Sequence, residues 1–119
     1  MNIKTPLTVL VVEDVAEISA QMLAILRQKR YGVSLATNAN DALQIAERDR
    51  PLMILTDPEL PTFDNLLRRL RRHLDLKGTT VAVIDINEPK IDGKYGVKVV
   101  PDFVQLDKLL KSLPRPKLI

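Results

Sequence analysis

Apolar residues along the chain fall into two alternating periods. Thr8-Val-Leu-Val-Val12 is a β-branched apolar run that stops at two acids, Glu13 and Asp14. A helical spacing follows at once through Ile18, Met22, Ile25, Leu26 and Lys29, so the order is strand, then helix. Asp14 with Glu17 three residues on matches a capping box with Asp in the capping place, and Gly32 offers a left-handed stop after Tyr31. Val33 to Thr37 predicts a second strand, Asn38 can cap a helix carrying Ala39, Ala42, Leu43 and Ala46, and Pro51 ends it.

Leu52-Met-Ile-Leu-Thr56 is the third apolar run, and it ends at Asp57. The turn-prone Pro58-Glu-Leu-Pro61 leads into a third helix with Phe63, Leu66, Leu67, Leu70 and Leu74 on one side, arginines on the other, and Gly78 closing it. Val81 to Ile84 and Val97 to Val100 predict strands four and five. Phe103, Leu106, Leu109, Leu110 and Leu113 make a last amphipathic helix capped by Asp102, with Pro114 and Pro116 ending ordered structure. Strands this uniformly apolar are buried on both faces, and their alternation with helices predicts a parallel sheet between two helical layers. The expected class is a doubly wound α/β domain over residues 1 to 119, with a core of about 7 to 113 and a tail from 114 to 119.

Composition narrows the function without naming it. The chain has 119 residues, 45% hydrophobic and 28% charged, which suits one folded domain. It has no cysteine, so thiolate metal sites and cysteine nucleophiles are excluded and any metal must use oxygen ligands. No signal-peptide pattern or membrane-length apolar stretch occurs, and the expected location is cytoplasmic. Net charge is +3, with much of the excess in Arg68, Arg69, Arg71, Arg72 and the C-terminal basic residues. Those arginines lack exposed aromatics beside them and read as the solvated side of a helix, so nucleic-acid binding is not expected. His73, the single histidine, has no partner residue type for a transition metal and is expected on a solvated helix surface. There is no glycine-rich phosphate loop or nucleophile elbow, which argues against a metabolic enzyme.

Chemistry concentrates where open α/β sheets place it, beyond the carboxyl ends of the strands. Glu13 and Asp14 follow strand one, Asp57 follows strand three and Asp85 follows strand four. Gathering them in one crevice costs repulsion that a hard divalent cation such as Mg²⁺ would offset. Val-Val-Glu13-Asp14 together with Ile54-Leu-Thr-Asp57-Pro-Glu-Leu-Pro61-Thr-Phe-Asp64 resembles the receiver domain of two-component response regulators. The resemblance spans roughly residues 7 to 113 and implies a flavodoxin-like sheet of five strands in the order 2-1-3-4-5. It implies that Asp57 is the phosphoacceptor, that Glu13, Asp14, Asp57 and the Glu59 backbone carbonyl hold Mg²⁺, and that the partner is a histidine kinase or another signalling protein. Catalysis, if any, is confined to transfer onto Asp57.

Three positions depart from the family pattern. Asp85 stands for a Ser or Thr hydroxyl, Val100 for a Lys before Pro101, and Val97 for an aromatic that takes part in switching. Losing a cation and gaining an anion makes the crevice two units more negative, and two like charges ~6 Å apart repel by roughly 3 kcal/mol at an effective dielectric near 20. Pro89, Gly93 and Gly96 also interrupt the segment from 86 to 96, where the family has a complete helix, so an irregular loop is expected there. The expected function is therefore an atypical pseudo-receiver acting through protein contacts, with a working phosphoacceptor as the alternative.

Overall fold

The computed structural model describes residues 8–57, 59–73, 76, 78–84 and 97–113. In chain order the elements are β1 (Thr8–Val12), α1 (Ala16–Gln28), β2 (Gly32–Ala36), α2 (Ala39–Asp49), β3 (Met53–Thr56), α3 (Phe63–Arg72), β4 (Thr80–Ile84), β5 (Lys98–Val100) and α4 (Phe103–Ser112). The strands form one sheet in the order β2-β1-β3-β4-β5 with every neighbouring pair parallel, as the alternation of strands and helices predicts.

The pleat explains why both faces of the central strands are apolar. Val9, Val11, Met53, Leu55 and Ala82 point to one layer, which holds Met22 and Leu26 of α1 and Leu106 and Leu110 of α4. Leu10, Val12, Ile54, Val81 and Val83 point to the other, among Leu43 and Ala46 of α2 and Leu66, Leu67 and Leu70 of α3. Successive side chains alternate across a strand, so a strand between two helical layers has no position to give to solvent.

Local punctuation differs from the sequence expectation in three places. Asp14 does not cap α1: the capping residue is Val15, with no side-chain cap bond. Glu13 Oε1 instead accepts from the Val15 N–H at 3.0 Å, so the acid two residues before the capping position satisfies one backbone donor. Gly32 belongs to β2, and the left-handed turn after α1 falls on Arg30, with φ 68°. α2 stops likewise at Arg50 with φ 48°, directly before Pro51. α3 ends at Arg72, because His73 is extended, so Gly78 does not close the helix. The expected caps of α2 and α4 stand: Asn38 Oδ1 accepts from the Asp41 N–H and Asp102 Oδ1 from the Gln105 N–H, each at 2.9 Å. The expectations for Asp85, for the segment from 86 to 96 and for the tail from 114 lie outside the described residues.

Candidate functional site

Register, more than sequence proximity, brings the two central acids together. Val12 of β1 pairs with Thr56 of β3, so Glu13 and Asp57, each one residue further on, leave the sheet side by side. The Glu13 N–H donates to the Ala36 carbonyl at 3.0 Å, which extends β1 pairing by one residue and fixes the backbone from which the side chain departs. Glu13 is only 1% exposed. Its Oε1 takes the Val15 N–H, while its Oε2 is buried and makes no hydrogen bond among the described residues.

Asp57 is held by its own turn. Its Oδ1 accepts from the Glu59 N–H at 2.8 Å and its carbonyl from the Leu60 N–H at 3.0 Å. This Asx-type arrangement orients the carboxyl at the tip of β3. Asp14 is exposed beside Glu13, and Glu59 is exposed on the turn.

Burial pushes the Glu13 carboxyl up from 4.5 to about 7; the neighbouring Asp57 and Asp14 carboxyls add to the rise and the Val15 N–H opposes it. Two ionised carboxylates are both acceptors, so Glu13 and Asp57 can bond one another only when a proton lies between them. That resolves the unpartnered Oε2: in the fully ionised state it has nothing to accept from. An all-oxygen donor set with one orphaned buried oxygen suits a hard cation. Among the described residues, though, no three acid or imidazole side chains converge on a single metal position. Any ion held there would keep several water ligands, as Mg²⁺ commonly does.

The two described departures from the family pattern are both aliphatic and buried. Val100 pairs with Ile84 at the end of β5 and sits in the α1/α4 layer, 7% exposed. Val97 precedes β5 and packs in the α2/α3 layer. Neither offers a donor or a charge to the carboxyl pair.

A cavity of about 270 Å³ adjoins the acids, lined by Glu13, Asp57, Ile18, Gln21, Met22, Ile84 and Phe103. Sequence reasoning missed its walls because Ile18 and Met22 fit the core stripe of α1 and Phe103 the core stripe of α4. Ile18 is 39% exposed, so it stands at the edge of that stripe, next to the acids. His73 also differs from the solvated residue expected: its Nε2 lies 2.9 Å from Glu47 Oε1, tying the end of α3 to α2. Arg71 donates to the Thr79 carbonyl and Arg69 to Asn40, so part of the arginine run is structural.

A sequence model of the response regulator receiver domain matches residues 9–99. No curated protein sequence matches the chain. Solved structures with the same fold include the chemotaxis response regulator CheY4 of Vibrio cholerae, 24% identical over 92% of this chain and 100% of that one, with a TM-score of 0.76. Another is the receiver domain of the sensor histidine kinase PA1611 from Pseudomonas aeruginosa, described with magnesium in its active site cleft. It is 22% identical over 92% of this chain and 98% of that one, with a TM-score of 0.79. The receiver domain of a signal transduction histidine kinase from Syntrophus aciditrophicus is 22% identical over 94% and 96%, at 0.74. At such identities these structures establish the fold. Among the described residues no helix is long and apolar enough to cross a membrane.

Proposed function

Because the chain belongs to the response regulator receiver domain family, we propose that it is a two-component signalling module that works by binding a protein partner while Asp57 stays largely unphosphorylated. The observation that carries this is Val100, a buried aliphatic residue at the end of β5 where the family pattern has a Lys. Attack of the Asp57 carboxylate on a phosphoryl group sets anion against anion, and the transition state needs cations fixed around the equatorial oxygens. Val100 supplies none. Glu13 supplies none either: burial, and to a lesser degree the Asp57 carboxyl beside it, raises its proton affinity, so the neighbour of Asp57 is a second acid and not a cation.

The residues that would hold Mg²⁺ are Glu13, Asp14, Asp57 and the backbone carbonyl of Glu59. When bound, the ion would neutralise carboxylate and phosphoryl charge in the crevice. The chain's own part is to fix Asp57 through the Glu59 N–H and to shield Glu13 at the carboxyl end of the central strands. A histidine kinase or another signalling protein of the cytoplasm is the partner class in keeping with the family. The module is no enzyme beyond the chance of self-catalysed transfer to Asp57.

Incubation with Mg²⁺ and acetyl phosphate, read by intact mass, tests the proposal, with beryllofluoride binding followed by NMR as a second readout. The expected result is an Asp57 left largely unmodified. Stoichiometric modification that disappears in Asp57→Asn would establish the phosphoacceptor instead, a reading favoured by the orientation of Asp57 beside Glu13.

A further inference from the structure

The cavity beside Glu13 and Asp57 has two chemically distinct parts, and no single simple ion matches both. Two carboxyls line it, and one of them, Glu13, is almost wholly buried with an oxygen that lacks a hydrogen-bond partner among the described residues. The remaining walls are mainly apolar: Ile18, Met22, Ile84 and Phe103. Neither Glu13 nor Asp57 has a salt bridge among the described residues, and Val100 leaves the end of β5 without a charge.

We propose that this cavity receives a lysine side chain presented by a protein partner. The inference rests on the reading that the domain acts by protein contact, and it adds the chemistry by which the partner is recognised. An ammonium donates up to three hydrogen bonds and carries the charge that the acid pair lacks. Its aliphatic stem is the part of the side chain that gains from apolar walls, since lysine buries its methylenes while placing its head on polar groups. A hydrated inorganic cation such as Mg²⁺, held by the same carboxyls, would meet the charge and leave those four walls facing water, so it would compete with the lysine for the acids without filling the cavity. An anion would be repelled, and a neutral apolar residue would leave the buried Glu13 Oε2 without a donor, an unsatisfied polar group that opposes binding. The volume, about 270 Å³, admits one side chain and not a folded segment. Ile18, exposed on the first turns of α1, gives the entering stem an apolar edge.

The test is an NMR titration in the presence of chelator with Nα-acetyl-lysine N-methylamide. Its controls are the norleucine amide, which has the stem without the ammonium, and n-butylamine, which is a free amine. The lysine compound is expected to shift the Val15 and Glu59 amides, which bond the two carboxyls, along a saturable curve. The norleucine compound should leave them in place, and n-butylamine should bind no tighter than the lysine compound. Glu13→Gln should weaken lysine binding by about tenfold, the loss expected for one charge-assisted hydrogen bond. Val100→Lys, which brings an ammonium from the chain itself, should abolish it. Glu13→Gln keeps shape and volume, so the inference stays testable even if Val100→Lys fails to fold. Equal shifts from the norleucine compound, unchanged binding in Glu13→Gln, or clearly tighter binding of n-butylamine would each overturn it. Absent lysine binding together with an unmodified Asp57 sinks this inference alone, whereas an Asp57 that accepts phosphoryl groups sinks the reading of the domain's function.

Discussion

Glu13 is the residue whose environment sets the stability of the site. Its folded carboxyl titrates near 7 against an ordinary value of 4.5, so the folded state binds its proton more tightly than the unfolded state does. Stability from this group is therefore complete below about pH 4.5 and is lost as pH rises towards 7, after which the loss is constant. Glu13→Gln removes the titration, retains an oxygen for the Val15 N–H, and gives Asp57 a donor. In chelator it should be more stable than the parent by about 1–3 kcal/mol at pH 8, with the gap closing below pH 5. Chemical denaturation of both proteins across that range checks it, and a gap that does not vary with pH would show that folding leaves the carboxyl's proton affinity unchanged. Added Mg²⁺ should narrow the gap at pH 8, because a bound cation stabilises the parent carboxylate more than the amide.

Helix ends give a second set of expected outcomes, because here the sequence signals and the structure part company. Asn38→Ala and Asp102→Ala each remove a bonded cap and should cost about 1 kcal/mol. Asp14→Ala removes a carboxyl that caps nothing and should change stability by less than about 0.5 kcal/mol, as thermal melts of the three variants would show. The box was legible in the residue types, yet Glu13 directly continues β1 and its oxygen, not that of Asp14, takes the Val15 N–H. The cores of the described strands and helices were readable, since apolar residues in runs or at helical spacing mark the buried side. The terminators were less so: Arg30 and Arg50 take left-handed backbone that residue type alone assigns to glycine. Within the site, Glu13 and Asp57 were legible because each follows an apolar strand directly. The cavity walls were not, since the apolar spacing that marks a core is the same spacing that lines a pocket.

For the whole molecule, the sheet is a partition as much as a core. β1 and β3 send alternate residues to opposite layers, so the α1/α4 layer and the α2/α3 layer touch the same strands without sharing side chains. Leu26 belongs to the first and Ile54 to the second, and both are fully buried. Leu26→Ala should cost about 2–5 kcal/mol and Ile54→Val about 0.5–1.5 kcal/mol, the ranges for a large truncation and for one lost methyl. Because the two sites have no common side-chain partners, the double variant should add within about 0.5 kcal/mol. The unfolding transition should nonetheless remain single, with an unchanged denaturant slope, since neither layer can lose its packing while the strands between them stay formed. Urea unfolding of the parent, both single variants and the double variant measures all of this together. A second transition in Leu26→Ala would mean that the α1/α4 layer opens by itself. The site would then be detached from the rest of the fold, because Glu13 precedes α1, and Met22 and Phe103, which line its cavity, are carried by α1 and α4.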